Sequence, residues 1–245
     1  MKQRKIFALF GALFLLVSSL FSGLFLFLNQ GIPMRATDAG TVCPPKTIVL
    51  DAGHGGEDSG ALGVDGVKEK DLNLQITLIL SDLFRAGGYR VILTREDDRL
   101  LCDPDTPAGR RKQGDLQNRV RKSAENGSAV LVSIHQNTYP LASCSGLQVW
   151  YSGNHPASEN MALAVQEGVQ KNLQPDNHRK IKKATSAIYL LRHAETPAIL
   201  IECGFLTSPA ECALLQDPDY QKKLALAIFC ALCGNFPPDS CAGEN

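Results

Sequence analysis

Three apolar runs in this chain each end on a residue able to do chemistry. Residues 48–56 read IVLDAGHGG and set His54 among glycines; residues 130–135 read VLVSIH and finish on His135; residues 198–202 read AILIE and finish on Glu202. Runs of this length and composition read as buried strands, and the strand ends of open α/β sheets are where ligands bind. Two imidazoles delivered to one sheet edge point to a metal site. A carboxylate delivered to the same edge supplies the acid/base group that a hydrolytic metal centre needs.

A catalytic zinc takes three protein ligands from His and Glu/Asp and keeps a further position open for water. His54 and His135 supply two, and the sequence offers two carboxylates for the third. Glu57 completes an H-x-x-E within the glycine loop, the spacing used by zinc carboxypeptidases. Glu69 stands 15 residues after His54, where a short loop can return it to the end of the first strand. Spacing alone leaves that choice open. Glu57 and Asp58 otherwise read as solvated loop acids, and Asp51 as a residue that orients its neighbours by hydrogen bonds. His155, His178 and His193 read as structural.

The elements that must position these residues alternate. Strands are expected at Thr47–Asp51, Tyr89–Thr94, Ala129–Ile134, Leu147–Tyr151, Ile188–Arg192 and Ala198–Glu202. Helices are expected at Asp71–Arg85, Asp115–Asn126, Ala157–Leu173 and Asp219–Phe236. Leu72, Ile76, Ile79, Leu80 and Leu83 share one face of the first helix, Asp71 can cap its start, and Gly87 and Gly88 end it. The segment Glu96–Gly114 reads as an exposed loop, with Arg110, Arg111 and Lys112 as a solvated charge cluster. Strands alternating with helices predict a single α/β domain: a mostly parallel central sheet flanked by helices on both faces, preceded by one N-terminal transmembrane helix.

That helix is expected because residues 6–28 contain no charged side chain. At about 1.5 Å per residue they reach roughly 34 Å, against a bilayer core of about 30 Å. The basic flank with Lys2, Arg4 and Lys5 keeps that end cytoplasmic, so residues 1–28 read as a membrane anchor with the catalytic domain extracytoplasmic. A cleaved signal peptide is the alternative, with small residues at Ser22, Gly23, Ala36 and Ala39. Residues 29–46 read as a linker, 47–236 as the catalytic domain and 237–245 as a polar tail. The 245-residue chain balances 25 Lys+Arg against 25 Asp+Glu, so without its basic flank it is mildly acidic, which excludes a nucleic-acid binder. Eight cysteines are more than an exported domain needs unless some pair. Cys230 and Cys233 form a lone C-x-x-C at helical spacing that reads as buried or paired thiols.

Taken together these residues resemble the zinc-dependent N-acetylmuramoyl-L-alanine amidases of the type-3 fold. The resemblance is carried by LDAGHGG at 50–56, Gly60 and Ala61, EKDL at 69–72, Thr94 and Arg95, SIH at 133–135, Asn137, and PAILIECGFL at 197–206. It spans essentially all of residues 47–235, with its blocks in order. It implies zinc held by His54, Glu69 and His135, with Glu202 as catalytic acid/base, and so favours Glu69 over Glu57. It implies peptidoglycan as substrate, cut between muramic acid and L-alanine. Asn137 and Arg192 are candidate substrate contacts. SIHQNT at 133–138 and the anchored, bare catalytic domain also resemble the sporulation amidases that prepare spore cortex. Ser123 and Ala124 depart from the Ala-Asn that many members carry there, which touches a helix end and none of the catalytic positions. No separate wall-binding domain is visible, so targeting is expected to depend on the anchor or on a protein activator. The rival readings are a zinc carboxypeptidase using Glu57, a catalytically silent wall-binding module and a thiol-redox protein using Cys230 and Cys233.

Overall fold

The computed structural model describes residues 46–125 and 129–236. The expected anchor, linker and polar tail lie outside those residues, apart from the linker's last residue, Lys46, and no described helix is long and apolar enough to cross a membrane. In chain order the elements are β1 (Thr47–Ala52), α1 (Glu69–Ala86), β2 (Arg90–Leu93), α2 (Arg111–Ala124), β3 (Val130–Asn137), β4 (Gln148–Tyr151), α3 (Ala157–Asn172), β5 (Lys182–Lys183), α4 (Tyr189–His193), β6 (Ala198–Phe205), α5 (Pro209–Gln216) and α6 (Pro218–Asn235). One sheet has the order β2-β1-β3-β6-β4-β5. The pairs among β2, β1, β3 and β6 are parallel. β4 runs antiparallel to β6, and β5 follows β4. The sheet is mostly parallel, as expected, and the single antiparallel pairing of β4 with β6 makes it mixed.

Side-chain alternation along the strands divides two cores. Ile48, Leu50, Val132, Ile134, Ile199 and Ile201 pack with Leu72, Ile76, Leu80, Met161, Val165 and Leu224, from α1, α3 and α6. Val49, Leu131, Ala198 and Leu200 pack on the opposite face with Leu190 and Leu191 of α4 and with Val120 of α2. Helices thus cover both faces, as a sheet with apolar residues on both sides requires. The second face is only partly apolar. The same alternation places Asp51, Ser133, His135 and Glu202 on it, in line with Val49, Leu131 and Leu200, and that places the chemistry.

Several expectations are corrected. Residues 188–192 are not a strand; α4 occupies Tyr189–His193, because so short an apolar run fits either period. Asp71 does not cap α1, which starts at Glu69 after Lys68 with no side-chain cap. The loop over 96–114 is shorter than expected, ending in a 3-10 turn at Ala108–Arg110 that leads into α2. Helix α5 has no counterpart in the sequence reading. Cys102, Cys144, Cys203, Cys212, Cys230 and Cys233 are all unpaired, and Cys230 is exposed rather than buried.

Candidate active site

The site forms at the C-terminal ends of β1, β3 and β6. β1 stops at Ala52, and the chain turns sharply so that His54 takes a φ of +61°, a left-handed conformation uncommon for a residue with a Cβ. Gly53 lets this turn pass close to β3: a Cβ there would lie 2.2 Å from His135 Nε2. Gly60, at φ +64°, faces the other side of the cluster, where a Cβ would lie 2.6 Å from Glu69 Oε2. Only glycine fits these two approaches.

Glu69 opens α1 and reaches between the two histidines. Its Oε1 lies 2.9 Å from His135 Nδ1 and its Oε2 lies 3.3 Å from His54 Nε2. The Ala61 and Gln136 backbone N–H groups donate to the same carboxylate at 2.8 and 3.0 Å. Burial would raise the Glu69 pKa, but hydrogen bonding and charge from His135 and His54 hold it well below the usual carboxylate range. Ligand atoms of His54, Glu69 and His135 all fall within 4.8 Å of one another. Glu57 is elsewhere, on the exposed surface, with Arg111 donating to it at 3.0 Å. Geometry therefore groups Glu69, and not Glu57, with the two histidines.

Asp58 is not the solvated loop acid expected. Its Oδ2 lies 2.9 Å from His54 Nδ1, leaving Nε2 as the nitrogen turned toward Glu69. A carboxylate on the far nitrogen of a ligating imidazole fixes tautomer and ring orientation. Asp51 does orient its neighbours: Ser133 Oγ donates to it at 2.6 Å, Thr94 Oγ1 at 2.8 Å and Arg119 Nη1 at 2.6 Å. Burial alone would raise Asp51; Arg119, then these hydroxyl bonds, lower it to about 2.

Glu202 pairs in register with His135 across β3 and β6. Its Oε2 is buried with no hydrogen-bond partner. Burial, then the nearby Glu69 charge, push its carboxyl up to about 8. Glu202, His54 and His135 share one cavity of about 270 Å³, closed on one side by Lys112, Asp115 and Leu116 of α2 and on the other by Ala187–Leu190. Lys112, read from sequence as part of a solvated cluster, lies 3.4 Å from Asp58.

Asn137 sits at the end of β3, past a bulge in its pairing with β6, and its Oδ1 accepts from the Thr138 N–H. Arg192 lies on the exposed side of α4 and does not line the cavity. Cys203, next to Glu202, is fully buried and its thiol is pushed up by burial and by Glu202, which fits an inert thiol. Sequence reasoning missed Asp58 and Arg119. The Asp58 contact has a local signal, an acid four residues after a histidine; Arg119 has none.

A doubly covered α/β sheet that brings to one edge two histidines and a carboxylate able to hold a metal ion, beside a second, protonatable carboxylate, is the arrangement of an open-sheet hydrolase. Residues 48–233 match the N-acetylmuramoyl-L-alanine amidase family, and the chain belongs to that family. The germination-specific N-acetylmuramoyl-L-alanine amidase of Bacillus subtilis is 38% identical over 185 residues, covering 75% of this chain and 77% of that protein. The CwlD amidase of Clostridioides difficile, solved in complex with the GerS lipoprotein, is 39% identical with a TM-score of 0.75, covering 78% of this chain and 98% of that one. An N-acetylmuramoyl-L-alanine amidase from Clostridium difficile 630 is 30% identical with a TM-score of 0.69, covering 79% and 98%. The enzyme is accordingly an N-acetylmuramoyl-L-alanine amidase.

Proposed function

We propose that this amidase is a zinc enzyme that prepares spore cortex by removing stem peptides from muramic acid. The observation that carries the reading is one cavity lined by His54, His135 and Glu202, whose Oε2 has no partner, with Glu69 bridging the two histidines behind it. The donor set fits the metal: two imidazoles and a carboxylate suit zinc, and Asp58 supports one imidazole from behind. Zinc held by these three residues would polarise the amide carbonyl and lower the pKa of water toward about 7. Glu202 then takes the proton of the attacking water and hands it to the departing nitrogen of L-alanine. A carboxyl poised near neutrality serves both steps. In this reading Asn137, two residues past His135 on β3, contacts the substrate, and Arg192 meets the stem peptide further out.

The sporulation role is supported by the similarity to the germination-specific enzyme. Peptide removal leaves muramic acid free for lactam formation. The GerS complex of the Clostridioides difficile relative supports a protein partner for this chain, with activation as its proposed role. Residues 6–28, free of charge behind a basic flank, support a membrane anchor with the domain extracytoplasmic.

The test is mass spectrometry of purified peptidoglycan incubated with the full-length protein, with zinc and with a chelator. Peptides beginning at L-alanine, paired with peptide-free glycan and absent under chelation, are expected. Peptides shortened from their carboxyl ends would overturn the reading in favour of a carboxypeptidase.

A further inference from the structure

Two arginines are among the most deeply buried side chains of the molecule, Arg95 at 1% and Arg119 at 2% exposure. Both end on the turn that carries His54. Arg95 Nε donates to the Ala52 carbonyl at 2.9 Å, and its Nη2 donates to the carbonyls of Gly53 at 3.1 Å and Lys70 at 2.8 Å. Arg119 Nη1 donates to the Ala52 carbonyl at 2.7 Å and its Nη2 to the His54 carbonyl at 2.7 Å. Three successive carbonyls, 52 to 54, are therefore each held by a guanidinium.

Charge neutralisation accounts for only part of this, although Asp51, Asp98 and Asp115 act on Arg95 from nearby. Arg119 does pair with Asp51 and Asp115, yet its bond to the His54 carbonyl adds nothing to either pair. Arg95 donates to four backbone carbonyls, those above and Asp97 at 3.0 Å, and among the described residues to no carboxylate. A buried guanidinium carries a desolvation cost that its hydrogen bonds must offset, and all those of Arg95 among the described residues fall on backbone carbonyls. That backbone includes the left-handed His54, a conformation that persists only where its surroundings over-determine it.

We propose that Arg119 and Arg95 are positioning residues for the metal centre: they lock the 52–54 turn so that His54 Nε2 stays aimed at Glu69 and His135. This rests on the metal-centre reading above. The forked guanidinium is what the role requires, because an ammonium keeps the charge but cannot span two carbonyls in fixed geometry.

The test uses full-length protein in detergent and two readouts: zinc affinity by chelator competition, and hydrogen exchange of the 53–56 amides in metal-free protein. Arg119→Lys and Arg95→Lys should each weaken zinc binding about 10- to 100-fold, the range seen when partners of metal ligands are lost, and should speed exchange at 53–56. Ser158→Ala removes a buried hydrogen bond from the Ala198 N–H, away from the turn; it should lower the melting temperature and leave zinc affinity within about twofold. Wild-type affinity in both lysine variants would overturn the proposal. So would an equal loss in Ser158→Ala, which would mark general loosening. If Arg119→Lys does not fold, Arg95→Lys decides, since it leaves the Arg119–Asp51 pair in place. A wild-type protein that binds no zinc would overturn the metal-centre reading, and unchanged exchange at 53–56 in the lysine variants would then overturn this one separately.

Discussion

Two glutamates meet at one sheet edge and are treated in opposite ways. Glu69 is surrounded by donors, with two imidazoles against its oxygens and two backbone N–H groups behind, and stays ionised in spite of its burial. Glu202 has an oxygen with no partner and a carboxyl raised to about 8 by burial and by its neighbour's charge. The residue type is the same and the solvation is not. Environments that push two carboxyls apart divide their roles: in the proposed mechanism the anion serves as the ligand, and the group that takes up and releases a proton near neutrality serves as the acid/base.

The sharpest way to break that division is to neutralise each side in turn. Glu69→Gln should remove the metal together with the activity, a loss of about 10⁴-fold or more, while Glu57→Gln changes neither; metal analysis beside the turnover assay checks both. Glu202→Gln should keep the metal and lower kcat by about 10² to 10⁴-fold, the usual worth of a general acid/base. If metal content fell in Glu202→Gln and held in Glu69→Gln, the assignments would have to be exchanged.

The division also predicts a pH dependence. In metal-free protein the folded-state pKa of Glu202, about 8, lies above its ordinary value of 4.5. Between those values the folded chain holds a proton that the unfolded chain has released, so stability falls as pH rises from about 5 to 8. The effect is on the order of 1–3 kcal/mol once partial exposure is allowed for. His54, raised above 6.5 chiefly against burial by Glu69 and Asp58, adds stability that is full below 6.5 and is lost as pH passes its folded value. Subtracting Glu202→Gln from wild type in denaturant melts at each pH isolates the Glu202 part. A flat difference would sink the prediction.

What the sequence disclosed and what it hid follow the same physical line. His54, His135 and Glu202 were legible because each ends an apolar run, and a run announces a strand with a definite C-terminal edge. Helix α1 was legible from its 3.6-residue spacing. Asp58 was misread because its only signal, four residues from His54, is common among ordinary loop acids. Arg119 was hidden because its partner Asp51 lies 68 residues away, so nothing local distinguishes it from an exposed arginine on a polar helix. The reversed direction of β4 was hidden too, because strand patterning carries no polarity.

Asp58 sets a smaller test of the ligand side. Asp58→Asn removes the charge behind His54 Nδ1 while keeping a hydrogen-bonding side chain of the same shape. Zinc affinity should fall about tenfold, at the low end for such partners, with the fold intact; isothermal titration measures it. An unchanged affinity would mean that Gly53, Gly60 and the buried arginines already fix the imidazole without help.

The smallest effect is expected furthest from the two glutamates. Arg192 stands on the exposed side of α4, whose first residues Tyr189 and Leu190, with Ala187 and Ile188 just before them, line the cavity, and the Tyr189–His193 stack at 4.0 Å ties the two ends of the helix together. An exposed guanidinium meeting a peptide carboxylate through solvent contributes about 0–1 kcal/mol. Arg192→Ala should therefore raise KM for peptidoglycan no more than about fivefold and leave kcat unchanged. A fall in kcat would place Arg192 in contact with the reacting amide, and α4 would then have to move inward on the substrate.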